Sequence, residues 1–380
     1  GLLAYLNSEA ELAAVLGHEI AHVTARHGVR QQTASTAAGL GYTIASILVP
    51  ELGHSQAQNA YGLLSNALLS GYGREHELEA DRLGAEYLAR TGRDPQAMLG
   101  VIGVLKNQDQ FARQQAAAEG RDHQGYHGLF ATHPRNDTRL QQVIGAASGI
   151  AVTHSVGDRR REYLQAIDGM VYGDSVEQGI RRGSNFYHPE LGIALRFPDK
   201  WAIKNLPDRL IAIAPGGAAS IQMQVDDINR RIPPREFMKQ RLGIKDLQQG
   251  RPLAGDDQQG YTGLTRLNTA EGPRLGRVSV VYLNQQAYIF VGVAVDERVA
   301  PQTDPLLLAT ARSLHPLTNK ERQLAKPLRI RITRAAAGHN YARLASSSLI
   351  DSYAEQHLRL LNNHYPTGVP TPNSLIKIVE

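Results

Sequence analysis

Apolar residues recur every three or four positions over the first part of the chain, which is the spacing of one face of an α-helix. Ser8, with Glu11 three positions later, supplies a capping signal to the first of these segments, and Gly92 follows the second. Helices are predicted over residues 8–30, 74–90, about 95–116 and about 137–147. The first 149 residues are therefore expected to be mainly α-helical.

The spacing of apolar residues along the sequence changes after residue 183. Short runs rich in β-branched and aromatic residues, separated by Gly, Pro and Asp, indicate strands, and two helical stretches flank them. Strands are predicted at 191–197, 210–213, 220–225, 277–283 and 287–295, and helices at about 233–242 and 304–314. We interpret residues 184–316 as an α/β sheet-and-helix domain and residues 150–183 as a connector with a helix at 162–167.

A third pattern of apolar residues occupies the C-terminal part of the sequence. Strand-like runs at 328–332 and 375–379 enclose two short helical stretches at about 341–347 and 352–361. Residues 317–380 are therefore predicted to form a small β-α-α-β domain. The chain as a whole is expected to be multidomain, with a helical domain over residues 1–149 followed by the connector and these two domains.

Composition and charge exclude several kinds of site and partner. The chain has 380 residues, no cysteine and a formal net charge of +5. The missing cysteines exclude disulfides, thiolate metal sites and cysteine nucleophiles. The basic residues are scattered in short clusters and no nucleic-acid-binding signature accompanies them, so we expect no nucleic-acid partner. The longest apolar stretch, 39–50, is shorter than the roughly 20 residues of a membrane helix, so no transmembrane segment is expected.

The first predicted helix carries His18-Glu19-Ile20-Ala21-His22. Two imidazoles one turn apart on one face can reach a single Zn²⁺, and Glu19 beside them can act as general base on a water molecule. Leu16 and Val23 are expected to bury this helix in the core, where two imidazoles need a partner.

A catalytic zinc ion needs a third protein ligand. His27 follows His22 by five residues, about 500° of helical rotation, and is therefore expected to point away from the shared face. The extended motif with a third histidine also fails, because its position is Gly28. Glu77 on the second predicted helix is the best remaining candidate, with Asp81 one turn further on to accept a hydrogen bond from His18. On spacing alone, a solvated acidic face remains an equal alternative.

A resemblance decides between these alternatives. A His-Glu-x-x-His helix followed about fifty residues later by Arg-x-x-Glu-x-Glu-Ala-Asp-Arg-x-Gly resembles the family-forty-eight gluzincin zinc metallopeptidases, which include the CAAX prenyl protease, HtpX and BepA. The second motif comprises Arg74, Glu77, Glu79, Ala80, Asp81, Arg82 and Gly84. The resemblance covers roughly residues 1–145. It implies one Zn²⁺ per chain held by His18, His22 and Glu77, with Asp81 behind His18 and Glu19 as general base.

The same resemblance draws attention to His133 and Arg139. Members of the family have a His-Pro and a following Arg near the active site, where either side chain could stabilise the oxyanion. Alternatively, His133 could bind the metal and close the resting site. Residues 31–70 occupy the position of a mobile region that covers the cleft in some relatives, and either a lid or ordinary helical packing is compatible with their composition. The sequence begins at Gly1, so the upstream helices and edge strand of the family are expected to be missing or reduced.

Residues 184–316 resemble a PsbP-like domain, on the motifs Phe186-Tyr187-His188-Pro189 and Leu195-Arg196-Phe197-Pro198. Residues 317–380 resemble a LysM module, whose relatives bind peptidoglycan or chitin. The usual Gly-Asp-Thr opening is replaced by Gly338-His339-Asn340, so glycan binding and docking to an envelope protein remain alternatives.

Together these resemblances imply an endopeptidase of the bacterial periplasm or cell envelope that acts on misfolded or misassembled proteins. The rival interpretation is a zinc-bearing chaperone or scaffold whose site stays closed. The first residues show no basic region or cleavage pattern, so we expect no signal peptide within this sequence.

Overall fold

A computed structural model of the chain describes residues 1–30, 74–119, 145, 155–227, 232–253, 259–269 and 272–380, which form helices and antiparallel sheets. The predicted helix at 137–147, apart from Gly145, and the proposed lid at 31–70 lie outside the described residues. Within the described ranges the helices are α1 (Glu9–Thr24), α2 (Arg74–Arg90), α3 (Ala97–Ala118), α4 (Arg160–Ile167), α5 (Pro234–Gln240), α6 (Ala300–Arg312), α7 (Asn319–Leu324), α8 (Tyr341–Ser346) and α9 (Ala354–Leu361).

Helix α1 begins as the sequence predicts, because the Ser8 side chain accepts a hydrogen bond from the Glu11 backbone N–H. The end of α1 differs from the prediction of a single helix over residues 8–30. Arg26 adopts a left-handed backbone conformation, with φ of 55°, and the chain turns there before becoming helical again at 27–30. A rotation counted along an unbroken helix therefore does not apply beyond Thr24.

The face that α1 buries is made of small residues and imidazoles. Gly17, His18, Ala21 and His22 are buried, whereas Leu16 is 51% and Val23 is 76% exposed. The expectation that Leu16 and Val23 bury this helix is wrong. The reason is steric, since two helices can approach closely only where the residues between them are small, and α1 turns its smallest residues toward α2.

Helices α2 and α3 match their predicted ranges to within two residues, and they pack with α1 around one apolar core. The predicted connector is part of that core. Tyr163, Leu164 and Ile167 of α4 are buried against it, and the Tyr163 hydroxyl donates a hydrogen bond to the Leu3 carbonyl. The packing of α4 thus fixes the segment that links the helical region to the sheets.

In the part of the chain that the structure describes, three antiparallel sheets follow, in the strand orders β1-β13-β14, β5-β6-β7-β11-β10-β9-β8 and β12-β4-β3-β2. Their strands are β1 (Val171–Tyr172), β2 (Ile180–Arg182), β3 (Asn185–His188), β4 (Ile193–Arg196), β5 (Ala202–Leu206), β6 (Arg209–Ile213), β7 (Ala219–Asp227), β8 (Gln248–Leu253), β9 (Gln259–Thr269), β10 (Gly272–Leu283), β11 (Gln286–Ala294), β12 (His315–Pro316), β13 (Leu328–Arg334) and β14 (Leu375–Val379). Every strand predicted from the sequence is present.

The seven-stranded sheet carries a core on each face. Alternate residues of β10 and β11 point to opposite sides, so that Val281 and Phe290 contact one core while Val280 and Ile289 contact the other. Helix α6 covers the first core and helix α5 the second. Strand β9 was not predicted, because its glycine, threonine and arginine residues give little apolar signal. It is held by pairing along its whole length with β10.

The C-terminal region has the predicted order β13-α8-α9-β14, and the unpredicted strand β1 of the connector pairs with β13. The N-terminal residues dock onto this region. Ala4 is buried in its core, and the fully buried Lys377 of β14 donates hydrogen bonds of 2.7 Å from Nζ to the carbonyl oxygens of Ala4 and Leu6. The first and last described segments are therefore packed together.

Among the helices in the described ranges, none combines the length and the apolar character that a membrane crossing requires.

Candidate metal centre

Helices α1 and α2 cross where each has a glycine. A Cβ atom placed on Gly84 of α2 would lie only 3.1 Å from the backbone nitrogen of His18, and one on Gly17 would lie 3.4 Å from the Gly84 carbonyl oxygen. The two main chains are therefore closer than side chains of ordinary size would allow. This approach brings the side chains of one turn of α1 next to those of one turn of α2.

Three side chains meet at that crossing, and all three are at least 96% buried. Nε2 of His18 lies 3.1 Å from Nε2 of His22, and Nε2 of His22 lies 3.3 Å from Oε1 of Glu77. Nε2 of His18 lies 3.6 Å from Oε2 of Glu77. Ligand atoms around a tetrahedral Zn²⁺ with bonds of about 2.0–2.1 Å are separated by roughly 3.3 Å. The distances between the donor atoms of His18, His22 and Glu77, the triangle of candidate ligands, are thus close to those of such a site.

The donor chemistry agrees with these dimensions. Two imidazoles and one carboxylate, all buried, are a ligand set used by catalytic zinc sites that keep a fourth position open. Within the described residues, His18, His22 and Glu77 form a group whose ligand atoms all lie within 4.8 Å of one another. A buried carboxylate beside two imidazoles is stabilised by a cation among them. The residues present therefore fit a metal ion.

Asp81 lies one turn beyond Glu77 and supports His18. Its Oδ1 atom is 2.9 Å from Nδ1 of His18, and both side chains are buried. A carboxylate accepts this hydrogen bond, so the proton is assigned to Nδ1 and the lone pair of the neutral imidazole to Nε2. This contact orients His18 toward the triangle, in the arrangement predicted from the sequence.

His27 lies closer to the site than predicted. Its ring is fully buried, and its Nδ1 atom is 2.8 Å from Nδ1 of His22. The prediction that His27 points away is wrong, because the left-handed turn at Arg26 reverses its direction. The exclusion of His27 from the ligand triangle is unaffected, since its contact is with the nitrogen of His22 that faces away from Glu77. The spacing of five residues could not reveal this contact while α1 was assumed to continue.

Glu19 is half-buried and follows His18 directly on α1. It belongs to the same turn as both imidazoles but not to the triangle of candidate ligands. His133 and Arg139 lie outside the described residues, so their predicted places near the site stay predictions.

Comparisons with known proteins address this region. The model of peptidase family M48 matches residues 1–147, which include both motifs and the triangle they form. The chain carries an M48 metallopeptidase domain. A beta-barrel assembly-enhancing protease of Yersinia pestis is 32% identical over 155 residues, which make up 39% of this chain and 29% of the relative. A putative beta-barrel assembly-enhancing protease of Vibrio cholerae is 42% identical over 147 residues, 37% of this chain and 28% of that protein.

Another match to the M48 region is the metalloprotease YcaL of Escherichia coli, which is 27% identical over 146 residues, 38% of this chain and 51% of YcaL. The chain thus spans less than a third of the length of the assembly-enhancing proteases it matches and about half of YcaL. A cyanobacterial PsbP from Synechocystis resembles a different part, at 15% identity and a TM-score of 0.28, over 38% of this chain and 98% of that one. A score this low does not establish a shared fold, so the PsbP-like domain stays a prediction.

Proposed function

We propose that this chain is a zinc-dependent endopeptidase whose metal is held by His18, His22 and Glu77. The observation that carries this proposal is the buried meeting of three side chains: Nε2 of His22 lies 3.1 Å from Nε2 of His18 and 3.3 Å from Oε1 of Glu77, and Nε2 of His18 lies 3.6 Å from Oε2 of Glu77. Its match to the dimensions of a tetrahedral zinc site is independent of any sequence motif. Its place inside the M48 domain supports peptide hydrolysis as the reaction.

When bound, zinc would supply polarisation of the scissile carbonyl and acidification of the attacking water. Glu19 then takes a proton from that water and delivers it to the nitrogen of the departing amine. A carboxylate on the same helical turn as the two imidazoles is suited to both transfers because its position changes little between them. No covalent bond to the enzyme forms, and hydrolysis leaves a carboxylate and an amine.

The remaining predicted residues complete this scheme. Asp81 keeps the lone pair of His18 directed at the metal through its 2.9 Å hydrogen bond. For His133 and Arg139 we propose the stabilisation of the oxyanion that develops on the scissile carbonyl. If His133 instead closes the site, His133→Ala will raise peptide cleavage, whereas it will abolish cleavage if His133 stabilises the transition state.

We propose misfolded or misassembled envelope proteins as the substrates and the bacterial periplasm or envelope as the location. The support is the resemblance to relatives named as proteases that enhance the assembly of β-barrels. The C-terminal β-α-α-β region is proposed to contact peptidoglycan or an envelope protein.

The test uses the zinc-loaded chain, an unfolded β-barrel protein and casein, with product peptides quantified by mass spectrometry. Glu19→Gln should retain one equivalent of zinc while its kcat falls by roughly a hundredfold or more, because proton transfer is lost. Glu162→Gln is the matched control, since this carboxylate is exposed on α4, and it should cleave at the wild-type rate.

Retained cleavage in a metal-replete Glu19→Gln protein would refute the assignment of the general base. Absence of cleavage in wild type, together with suppression of substrate aggregation by the uncleaved complex, would instead favour a zinc-bearing chaperone. Loss of cleavage on chelation, restored by zinc, is the result expected of the endopeptidase.

A further inference from the structure

A chain of polar contacts leads from the proposed ligand His22 to the surface. Nδ1 of His22 lies 2.8 Å from Nδ1 of His27, and Nε2 of His27 lies 3.2 Å from Oε2 of Glu79. The same carboxylate oxygen accepts a hydrogen bond of 2.7 Å from the guanidinium of Arg30. The series of contacts runs from buried to exposed side chains. His22 is 4% and His27 is 0% exposed, whereas the side chains of Glu79 and Arg30 are 35% and 50% exposed.

The partners assign the protons along this chain. Oε2 of Glu79 accepts the hydrogen bond of the Arg30 guanidinium, so Glu79 is an acceptor. Nε2 of His27 therefore donates to Glu79, which leaves Nδ1 of His27 as the acceptor. His22 must then donate from its own Nδ1. Its lone pair is consequently on Nε2, the atom that faces Glu77.

His18, the other proposed histidine ligand, has the same tautomer, which a different hydrogen bond sets. His18 donates from Nδ1 to Asp81, so its lone pair is also on Nε2. The two Nε2 atoms are 3.1 Å apart and neither carries a proton in this assignment. Two lone pairs at that distance repel each other unless a cation lies between them and the Glu77 carboxylate. The two hydrogen-bond routes together therefore prepare the triangle for a cation.

We propose that His27 is a positioning residue for the metal centre, which fixes the tautomer and the ring orientation of His22 as Asp81 does for His18. This proposal rests on the proposed function, because it presumes that His18, His22 and Glu77 bind zinc. It adds a residue, His27, that is neither a ligand nor a proton carrier in that function. Glu79 acts through His27 by accepting its Nε2 proton.

The local backbone is arranged for this role. The left-handed turn at Arg26 returns the chain toward α2, and the His27 ring then stacks on His76 with centroids 4.5 Å apart and planes inclined by 19°. The rings of His22 and His27 meet edge to face at 4.8 Å. A fully buried ring whose two nitrogens both contact partners, His22 and Glu79, has little freedom to rotate, which is what a residue that orients a ligand requires.

The experiment compares two substitutions of His27 by zinc affinity, measured in competition with a chromophoric chelator. His27→Leu fills the space with an apolar side chain of similar size and removes Nδ1, the acceptor for His22. Zinc affinity should therefore fall by about 10- to 100-fold. His27→Asn places an amide oxygen near the position of Nδ1, and it should restore affinity to within a few fold of wild type. The cobalt-substituted proteins should follow the same order, with altered d–d absorption only in His27→Leu.

His76→Leu is the matched control, since it removes the ring stacked on His27 but not the contact to His22. Its zinc affinity should remain within about twofold of wild type. Equal losses in His27→Leu, His27→Asn and His76→Leu, with thermal unfolding of the metal-free proteins equally affected, would overturn the proposal in favour of simple packing. Wild-type affinity in His27→Leu would also overturn it while leaving the zinc site intact. Failure of the wild-type chain to bind zinc would instead refute the proposed function.

Discussion

The proposed metal centre and the C-terminal region both bury charged side chains, but their surroundings differ. At the crossing of α1 and α2, the buried Glu77 carboxylate lies 3.3 and 3.6 Å from the two imidazoles, which are 3.1 Å apart. In the C-terminal region, the buried ammonium of Lys377 is bound by the two carbonyl oxygens of Ala4 and Leu6. We propose that a cation completes the first arrangement, whereas the protein's own main chain completes the second. Burial of charge alone therefore does not identify a functional site.

The largest expected effect is on zinc affinity, when the charge of the proposed ligand Glu77 is removed. Glu77→Gln should lower zinc affinity by about a hundredfold or more, since a neutral amide replaces an anionic ligand. Chelator competition measures this, and circular dichroism checks that the helices persist. Glu75→Gln, an exposed carboxylate on the same helix, is the control. Equal zinc affinity in Glu77→Gln and wild type would remove Glu77 from the ligand set.

The opposite result is expected for Lys377. Lys377→Met should lower the free energy of unfolding by about 3 kcal/mol, because two buried carbonyls lose their donor at about 1–3 kcal/mol each. Zinc affinity of the folded protein should stay unchanged. Urea unfolding with and without zinc separates the two quantities. A large loss of zinc affinity in folded Lys377→Met would show that the two regions are coupled, contrary to the comparison above.

A substitution at the crossing of α1 and α2 can move the proposed ligands apart without replacing any of them. Gly84→Ala should cost about 1–3 kcal/mol of stability and weaken zinc binding several-fold, because its Cβ would lie 3.1 Å from the His18 nitrogen and push α1 away. Gly103→Ala on α3 is the control, since its Cβ would meet nothing within 4 Å. It should be neutral or slightly stabilising. Identical behaviour of the two variants would argue against close approach of the helices as a requirement of the site.

Lys377 also predicts a pH dependence. Burial lowers its pKa from 10.5 to about 7, so between these pH values the unfolded chain holds one more proton than the folded chain. The free energy of unfolding should therefore rise with pH across this window, by at most about 1.4 kcal/mol per pH unit. The two carbonyl acceptors favour the ammonium and reduce the slope. Denaturant titrations from pH 7 to 10 should show a slope that Lys377→Met lacks, and equal slopes would exclude Lys377 as its source.

The smallest effect is expected at the exposed end of the His22 contact chain. Arg30→Ala removes an ion pair whose side chains are 50% and 35% exposed, and such pairs contribute about 0–1 kcal/mol. Zinc affinity should change by less than about threefold. A loss as large as that of His27→Leu would mean that the charge of Arg30 controls the site from the surface.

The sequence predicts most of the described helices, and it predicts that His18, His22 and Glu77 lie together, for a physical reason. His18 and His22 are one turn apart, so local helix geometry alone places them on one face. Glu77 could be placed beside them only through the resemblance, because the approach of α2 depends on Gly17 and Gly84, which carry no chemical signature.

What the sequence did not reveal depends on single backbone angles and on long-range packing. The position of His27 follows from the φ of Arg26, a residue with no marked preference for a left-handed turn. The exposure of Leu16 and Val23 contradicts a pattern that predicts burial, because helical period identifies an apolar face but not which neighbour is present. Strand β9 was missed because its stability comes from β10 rather than from its own residues.

The bonds from Lys377 have a consequence for the order of folding. Its two acceptors precede it by 373 and 371 residues, so during synthesis the carbonyls of Ala4 and Leu6 leave the ribosome long before their donor exists. Contacts so distant in sequence form slowly and late. The segment with Ala4 and Leu6 therefore gains this partner only after β14 has been synthesised, and the packing of the helical region is completed by residues far downstream of it.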